Sequence, residues 1–239
     1  MTGALVVLRR ELAVAVGQPL AVASLVAYAG MVGLLALWFD DALTAEVASM
    51  RQPFFWMSAC LLWLAPAITM RSFAEERRAG TLQLQATWPL APAEIVVGKW
   101  LAAWILALAA LATTAGYPAA IGAHGPLDPG PVVAGYLGLA LSAGAWTAVG
   151  LAASAFADSQ AVAFLAAVAL TAGPWWVGLA LPLVPGAWAP AVQAWTVAYH
   201  LGHFTAGVLD TRSVGFFALV TAVALRWAVL GLEHRRLRP

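Results

Sequence analysis

From Ser159 to Leu209 the chain carries no Asp, Glu, Lys or Arg, and four other stretches of 18 residues or more are almost as bare of charge. A helix needs about 20 apolar residues to cross the ~30 Å hydrocarbon layer of a bilayer. A backbone at that depth must satisfy its own hydrogen bonds, so only helices and closed barrels can cross. Composition agrees: 63% of residues are hydrophobic and 10% charged, against about 25% charged in soluble domains. The fold class expected is an all-α polytopic membrane protein.

Six spans are expected, at about 20–39, 53–70, 95–117, 131–157, 161–181 and 213–232, within a single membrane domain covering 1–239. The stretch from Ser159 to Leu209 is too long for one span. It is broken by Pro182, Pro185, Gly186 and Pro190, so an apolar segment that does not cross should follow the fifth span. Residues 4–16 read as an interfacial helix, with Leu5, Leu8, Leu12 and Ala15 on one face and Gly17 and Pro19 at its end. The first apolar run is longer than the 7–15 residues of a signal-peptide core, so an uncleaved span is expected. Six spans put both termini on one side. That side carries Arg9, Arg10, Arg71, Arg77, Arg78, Lys99, Arg235, Arg236 and Arg238, and the other carries Arg51 and Arg212. The positive-inside rule therefore places both termini in the cytoplasm. Trp38, Trp56, Trp175, Trp176 and Trp188 fall near the outer interface and Trp88 and Trp100 near the inner one, as an aromatic belt would.

The long cytoplasmic loop, 71–94, is the informative stretch. Ser72 and Glu75 have capping-box spacing, Glu75 and Glu76 precede Arg77 and Arg78 in the order that suits a helix dipole, and Gly80 ends the turn. Thr81, Leu82 and Leu84 resume the pattern up to Pro89. A loop that only turns the chain needs four to six residues. Leucines on a water-facing segment suit a protein contact. A docking helix for a cytoplasmic partner and a solvated, positively charged loop both stay open on residues alone. Lys99, at the start of the third span, is expected to snorkel to the inner headgroups.

Glu75-Glu76-Arg77, Gly80-Thr81-Leu82, Pro89 and Gly98-Lys99, together with Gly130 to Phe164 and Tyr199 to Phe217, resemble the permeases of the type-2 ABC exporter family. The branch they resemble is the one near the gliding-motility and nitrous-oxide-reductase accessory permeases. The resemblance implies six transmembrane helices, an N-terminal interfacial helix, a cytoplasmic coupling helix and a short outer re-entrant helical segment before the last span. It also implies the partners: two copies of a cytoplasmic P-loop ATPase, a second permease copy or related permease, and the lipid bilayer of a bacterial inner membrane. The ATPase-coupling residues would be Ser72, Glu75, Glu76, Arg77, Arg78, Gly80, Thr81, Leu82 and Leu84.

No catalytic chemistry is expected of the chain itself. The only Gly-Lys, Gly98-Lys99, is followed by Trp100 and has Ala93 where a P-loop needs its first glycine, so ATP would be bound by the partner and no cofactor is expected here. His200 and His203 lie one helical turn apart with no third ligand near but Asp210, which makes a haem- or metal-binding membrane subunit the weaker alternative. A membrane anchor that recruits a partner without transport is the other. Net charge of +1 gives no case for nucleic acid. Arg226 lies inside the sixth span, where it either snorkels or serves the pathway or subunit packing. Asp158 and Ser159 should cap the fifth span.

Overall fold

The computed structural model describes residues 2–38, 49–78, 80, 90–183, 186 and 188–236. The described residues contain helices and turns and no strand. In chain order the helices are α1 (Thr2–Gly17), α2 (Pro19–Trp38), α3 (Arg51–Thr69), α4 (Ala74–Arg78), α5 (Pro92–Ala112), α6 (Tyr117–Gly122), α7 (Pro129–Phe156), α8 (Gln160–Ala180), α9 (Ala189–Gln193), α10 (Val197–Thr205) and α11 (Thr211–Arg236). Among the described residues five stretches are long and apolar enough to cross a membrane: Arg51–Arg78, Pro92–Gly122, Pro129–Phe156, Gln160–Ala180 and Thr211–His234. The α1–α2 pair, bent by 73°, brings the number to six if the two helices count as one broken span. The chain is an all-α polytopic membrane protein.

Helix α7 is the hub, with α3, α5, α8, α10 and α11 packed around it. Its small residues permit this. A Cβ on Gly135 would come within 2.2 Å of the Phe54 ring, and one on Gly150 within 2.1 Å of Thr69 Oγ1. Lipid offers no hydrophobic drive between helices, so close backbone approach at such positions is what holds them. Trp100 and Trp104 of α5 stack 5.3 Å apart and donate their indole N–H groups to the carbonyls of Gly144 and Ala140 on α7.

Local chemistry sets the helix ends. Asp128 Oδ1 accepts from Gly130 N–H at 2.9 Å with Pro129 at the first helical position of α7, and Ser159 Oγ accepts from Val162 N–H at the start of α8. Ser159 supplies this cap, and Asp158 Oδ1 lies 3.5 Å from Arg77.

Helix α1 lies along α5, not along α2. A Cβ on Gly98 would meet the Ala4 carbonyl oxygen at 2.7 Å, so the two backbones nearly touch. The face turned to the protein carries Gly3, Val7 and Glu11, while Leu5 is 54% exposed. Leu8, Leu12 and Ala15 of the expected apolar face are half-buried, and Glu11 is drawn inward to a cation on α5.

Between α8 and α11 the chain forms α9, of 5 residues, and α10, of 9. Neither can cross. Phe204 of α10 anchors this segment in the groove that Gly138 leaves on α7.

Candidate functional site

Helix α3 does not stop cleanly. Met70 N–H donates to the Pro66 carbonyl, Ser72 N–H to Thr69 and Glu75 N–H to Arg71, so the chain turns through Arg71–Phe73 straight into α4. The capping box expected from Ser72 and Glu75 does not form, since the Glu75 N–H is already used on the Arg71 carbonyl. The donors at this corner are capped from another helix. Ser154 Oγ of α7 accepts from Phe73 N–H at 3.1 Å and Ala74 N–H at 3.3 Å, and donates to the Met70 carbonyl at 3.2 Å.

Two of the four charges on α4 face inward. Glu76 Oε1 lies 2.7 Å from Lys99 Nζ, and Glu11 Oε1 of α1 lies 2.9 Å from the same atom. Lys99 is 2% exposed and sits 5.3 Å over the Phe73 ring. It does not snorkel: two carboxylates and an aromatic face give its ammonium the partners that a buried charge requires. Arg77 reaches the other way. Its guanidinium donates to the Ala155 carbonyl at 2.8 Å and to the Ala157 carbonyl, and meets Asp158 Oδ1 at 3.5 Å. These carbonyls lie in the last turn of α7 and just beyond it, where helix carbonyls lack intrahelical donors and the dipole favours a cation.

The other two charges, Glu75 and Arg78, are exposed and have no ionic partner among the described residues. Gly80 follows with φ +70°, its N–H donating to the Arg77 carbonyl at 3.0 Å. That left-handed turn is open to glycine at little cost. Thr81, Leu82 and Leu84 of the expected docking set, with Pro89, lie outside the described residues. Thus α4 presents one charged face to solvent and ties the other to α1, α5 and α7.

Glu11, Lys99, Ser154 and the α7 carbonyls were not legible as parts of this corner. Their only hint was a lysine inside an apolar span. Arg226 stands apart from it, exposed on α11.

The His200–His203 pair has a different geometry from a ligand pair. His200 Nε2 donates to the Ala194 carbonyl at 3.0 Å, so in the neutral ring Nδ1 accepts from the Ser213 hydroxyl, also at 3.0 Å. Both nitrogens are committed, and the ring stacks on Phe216 at 4.2 Å. His203 faces Ser213 and Asp210. Burial pushes the His200 pKa below its ordinary value, and the neighbouring His203 adds to this against the opposing Ala194 carbonyl and Asp210. A base whose folded pKa is depressed stabilises the fold above its ordinary pKa, about 6.5, and loses that contribution as pH falls through the folded value. The thermal midpoint of the protein in detergent should therefore drop between pH 7.5 and 5 more steeply than that of His200→Gln. Parallel pH curves for the two would refute the role of neutral His200.

A family model described as ABC-2 family transporter protein matches residues 11–199. No curated protein matches the chain.

Proposed function

The chain belongs to the ABC-2 family of transporter proteins and is a permease subunit of an ABC transporter, and from this we propose that it works as an exporter driven by a separate cytoplasmic ATPase that docks on α4. Two permease subunits would pair with two ATPase subunits in a bacterial inner membrane, with the termini cytoplasmic. The Glu75-Glu76-Arg77 and Gly80-Thr81-Leu82 motifs support the branch near the gliding-motility and nitrous-oxide-reductase accessory permeases.

The observation that carries this reading is the division of labour on α4. Glu75 and Arg78 are exposed to solvent, while Glu76 and Arg77 hold the same five-residue helix to three others. Closure of the ATPase pair would push on α4. The push would pass through Lys99 to α1 and α5 and through Arg77 and Ser154 to α7, the hub of the bundle. A mere anchor needs the exposed pair and has no use for the inner one.

The test is co-expression with the P-loop ATPase of the same genome, purification in lipid nanodiscs, and comparison with the Glu75→Arg/Arg78→Glu variant. Reversing both charges breaks no side-chain hydrogen bond or ion pair among the described residues. Permease-dependent ATP hydrolysis is expected to fall roughly tenfold, the effect of about 1.4 kcal/mol of lost docking energy, with the thermal midpoint unchanged. Hydrolysis that ignores the double reversal would remove α4 as the docking site.

A further inference from the structure

Three cavities follow one another along α3. The first, about 590 Å³, opens beside α4 and is lined by Arg10, Arg71, Glu75 and Lys99 below the apolar Ala67 and Leu106. The second, about 560 Å³, lies between α2, α3 and α8 and is almost wholly apolar, with Trp63 and Trp176 in its wall. It shares Ser24, Ala27 and Ala67 with the first. The third, about 180 Å³, holds Arg51, Gln52, Ser58 and Thr205, and shares Phe55, Trp175 and Leu179 with the second. The order along the helix is charged, apolar, polar.

Arginines mark both ends. Arg51 opens α3 and Arg71 follows its last turn, and neither has a carboxylate partner among the described residues. The 19 residues of α3 rise about 28 Å, close to the ~30 Å of hydrocarbon in a bilayer. In the first cavity one carboxylate oxygen each of Glu11 and Glu76 meets Lys99 and Glu75 also lines the wall, whereas Arg71 Nε is buried with no hydrogen-bond partner among the described residues. In the third, Ser58 is 1% exposed and its hydroxyl is likewise unpartnered among the described residues. Buried donors are normally satisfied by protein, water or a ligand, so each of these two groups leaves a hydrogen bond open at its cavity wall.

We propose that this groove takes a phosphate-headed lipid, with one acyl chain in the apolar chamber between α2, α3 and α8 and its phosphate on Arg71. An almost wholly apolar wall suits an acyl chain, whose burial there removes hydrocarbon from polar surroundings. A guanidinium forks onto a phosphate with paired hydrogen bonds. The assignment deepens the permease reading and rests on it, since it names what the bundle would carry.

The experiment needs no ATPase. The full chain is placed in phosphatidylcholine nanodiscs containing a trace of phosphatidylglycerol with a photoreactive group midway along one acyl chain, and labelled peptides are mapped. Labelling should concentrate on α3 and α8 around Cys60 and Trp176, and unlabelled phosphatidylglycerol should compete for it. Arg71→Gln should weaken it about tenfold, the loss of one charge-assisted hydrogen bond. Ala27→Trp, which plugs the neck between the first two cavities, should abolish it, while Leu219→Trp on the exposed face of α11 should leave it unchanged. A diacylglycerol with the same reactive chain should label the groove poorly. Equal labelling by both probes, or labelling spread over every exposed apolar face, would overturn the assignment. Disulfide capture of two copies through Trp63→Cys in a Cys60→Ser background would overturn it too, by showing a second copy in the lipid's place. Failure here would leave ATPase coupling through α4 untouched, and failure of that coupling would leave lipid labelling intact.

Discussion

Lys99→Met is expected to destabilise the protein by about 3–5 kcal/mol, the usual cost of removing one partner from a buried ion cluster. Lys99 is 2% exposed and stands between Glu11 and Glu76, whose side chains are only 24% and 15% exposed. Without the ammonium, two carboxylates face each other across a thioether, and one must take up a proton or move into water. The movement open to them is withdrawal of α1 from α5, which would also expose the tight Gly98–Ala4 contact. Unfolding by graded denaturing detergent should show the loss of stability, and limited proteolysis should cut α1 at lower protease concentration than in the wild type. The triple variant Glu11→Gln/Glu76→Gln/Lys99→Met removes the charges together and should recover most of the stability, because replacing a whole buried cluster by neutral groups costs far less than breaking it. A triple variant as unstable as Lys99→Met would show that shape, and not charge, holds this corner.

The corner also shows where reading a sequence stops. Spans are legible because the bilayer leaves the backbone few options: an uncharged run of the right length must be helical. The prolines at 182, 185 and 190 announced a segment that does not cross, and α9 and α10 are that segment. The charges of α4 were legible as a group, and Gly80 as its end. What each one does was not. Arg77 and Arg78 are adjacent and chemically identical, yet one is tied to α7 and the other faces solvent. The difference arises from where α7 ends, at the Ala157 carbonyl 80 residues away in the chain. Lys99 looked like a snorkelling residue because nothing near it in sequence could pair with it. Its partners come from α1 and α4 only once α1 lies along α5. The Ser72–Glu75 spacing misled for a related reason: a capping box needs a free helix start, and this turn receives its cap from Ser154 of a neighbouring helix.

Arg77→Ala should separate docking from coupling. The variant keeps Glu75 and Arg78, the exposed pair to which the ATPase is assigned, so the ATPase should still co-purify at wild-type yield. It loses the bonds from Arg77 to the carbonyls of Ala155 and Ala157 and the contact with Asp158. Hydrogen bonds from a charged group contribute about 1.5–3 kcal/mol each, and the orphaned carbonyls at the end of α7 have few substitutes. Stability should fall by about 3 kcal/mol on that scale. The functional loss should be larger than this suggests, because the bond lies on the route between α4 and the hub of the bundle. Permease-dependent hydrolysis is expected to drop roughly tenfold or more, with unchanged affinity of the two subunits for each other. Arg77→Lys keeps the cation but not the fork, so it should restore part of the stability and less of the hydrolysis. If Arg77→Ala instead weakens ATPase binding in step with hydrolysis, Arg77 belongs to the docking face itself. If it changes neither, force reaches α7 through Ser154 alone, and Ser154→Ala becomes the variant that must fail.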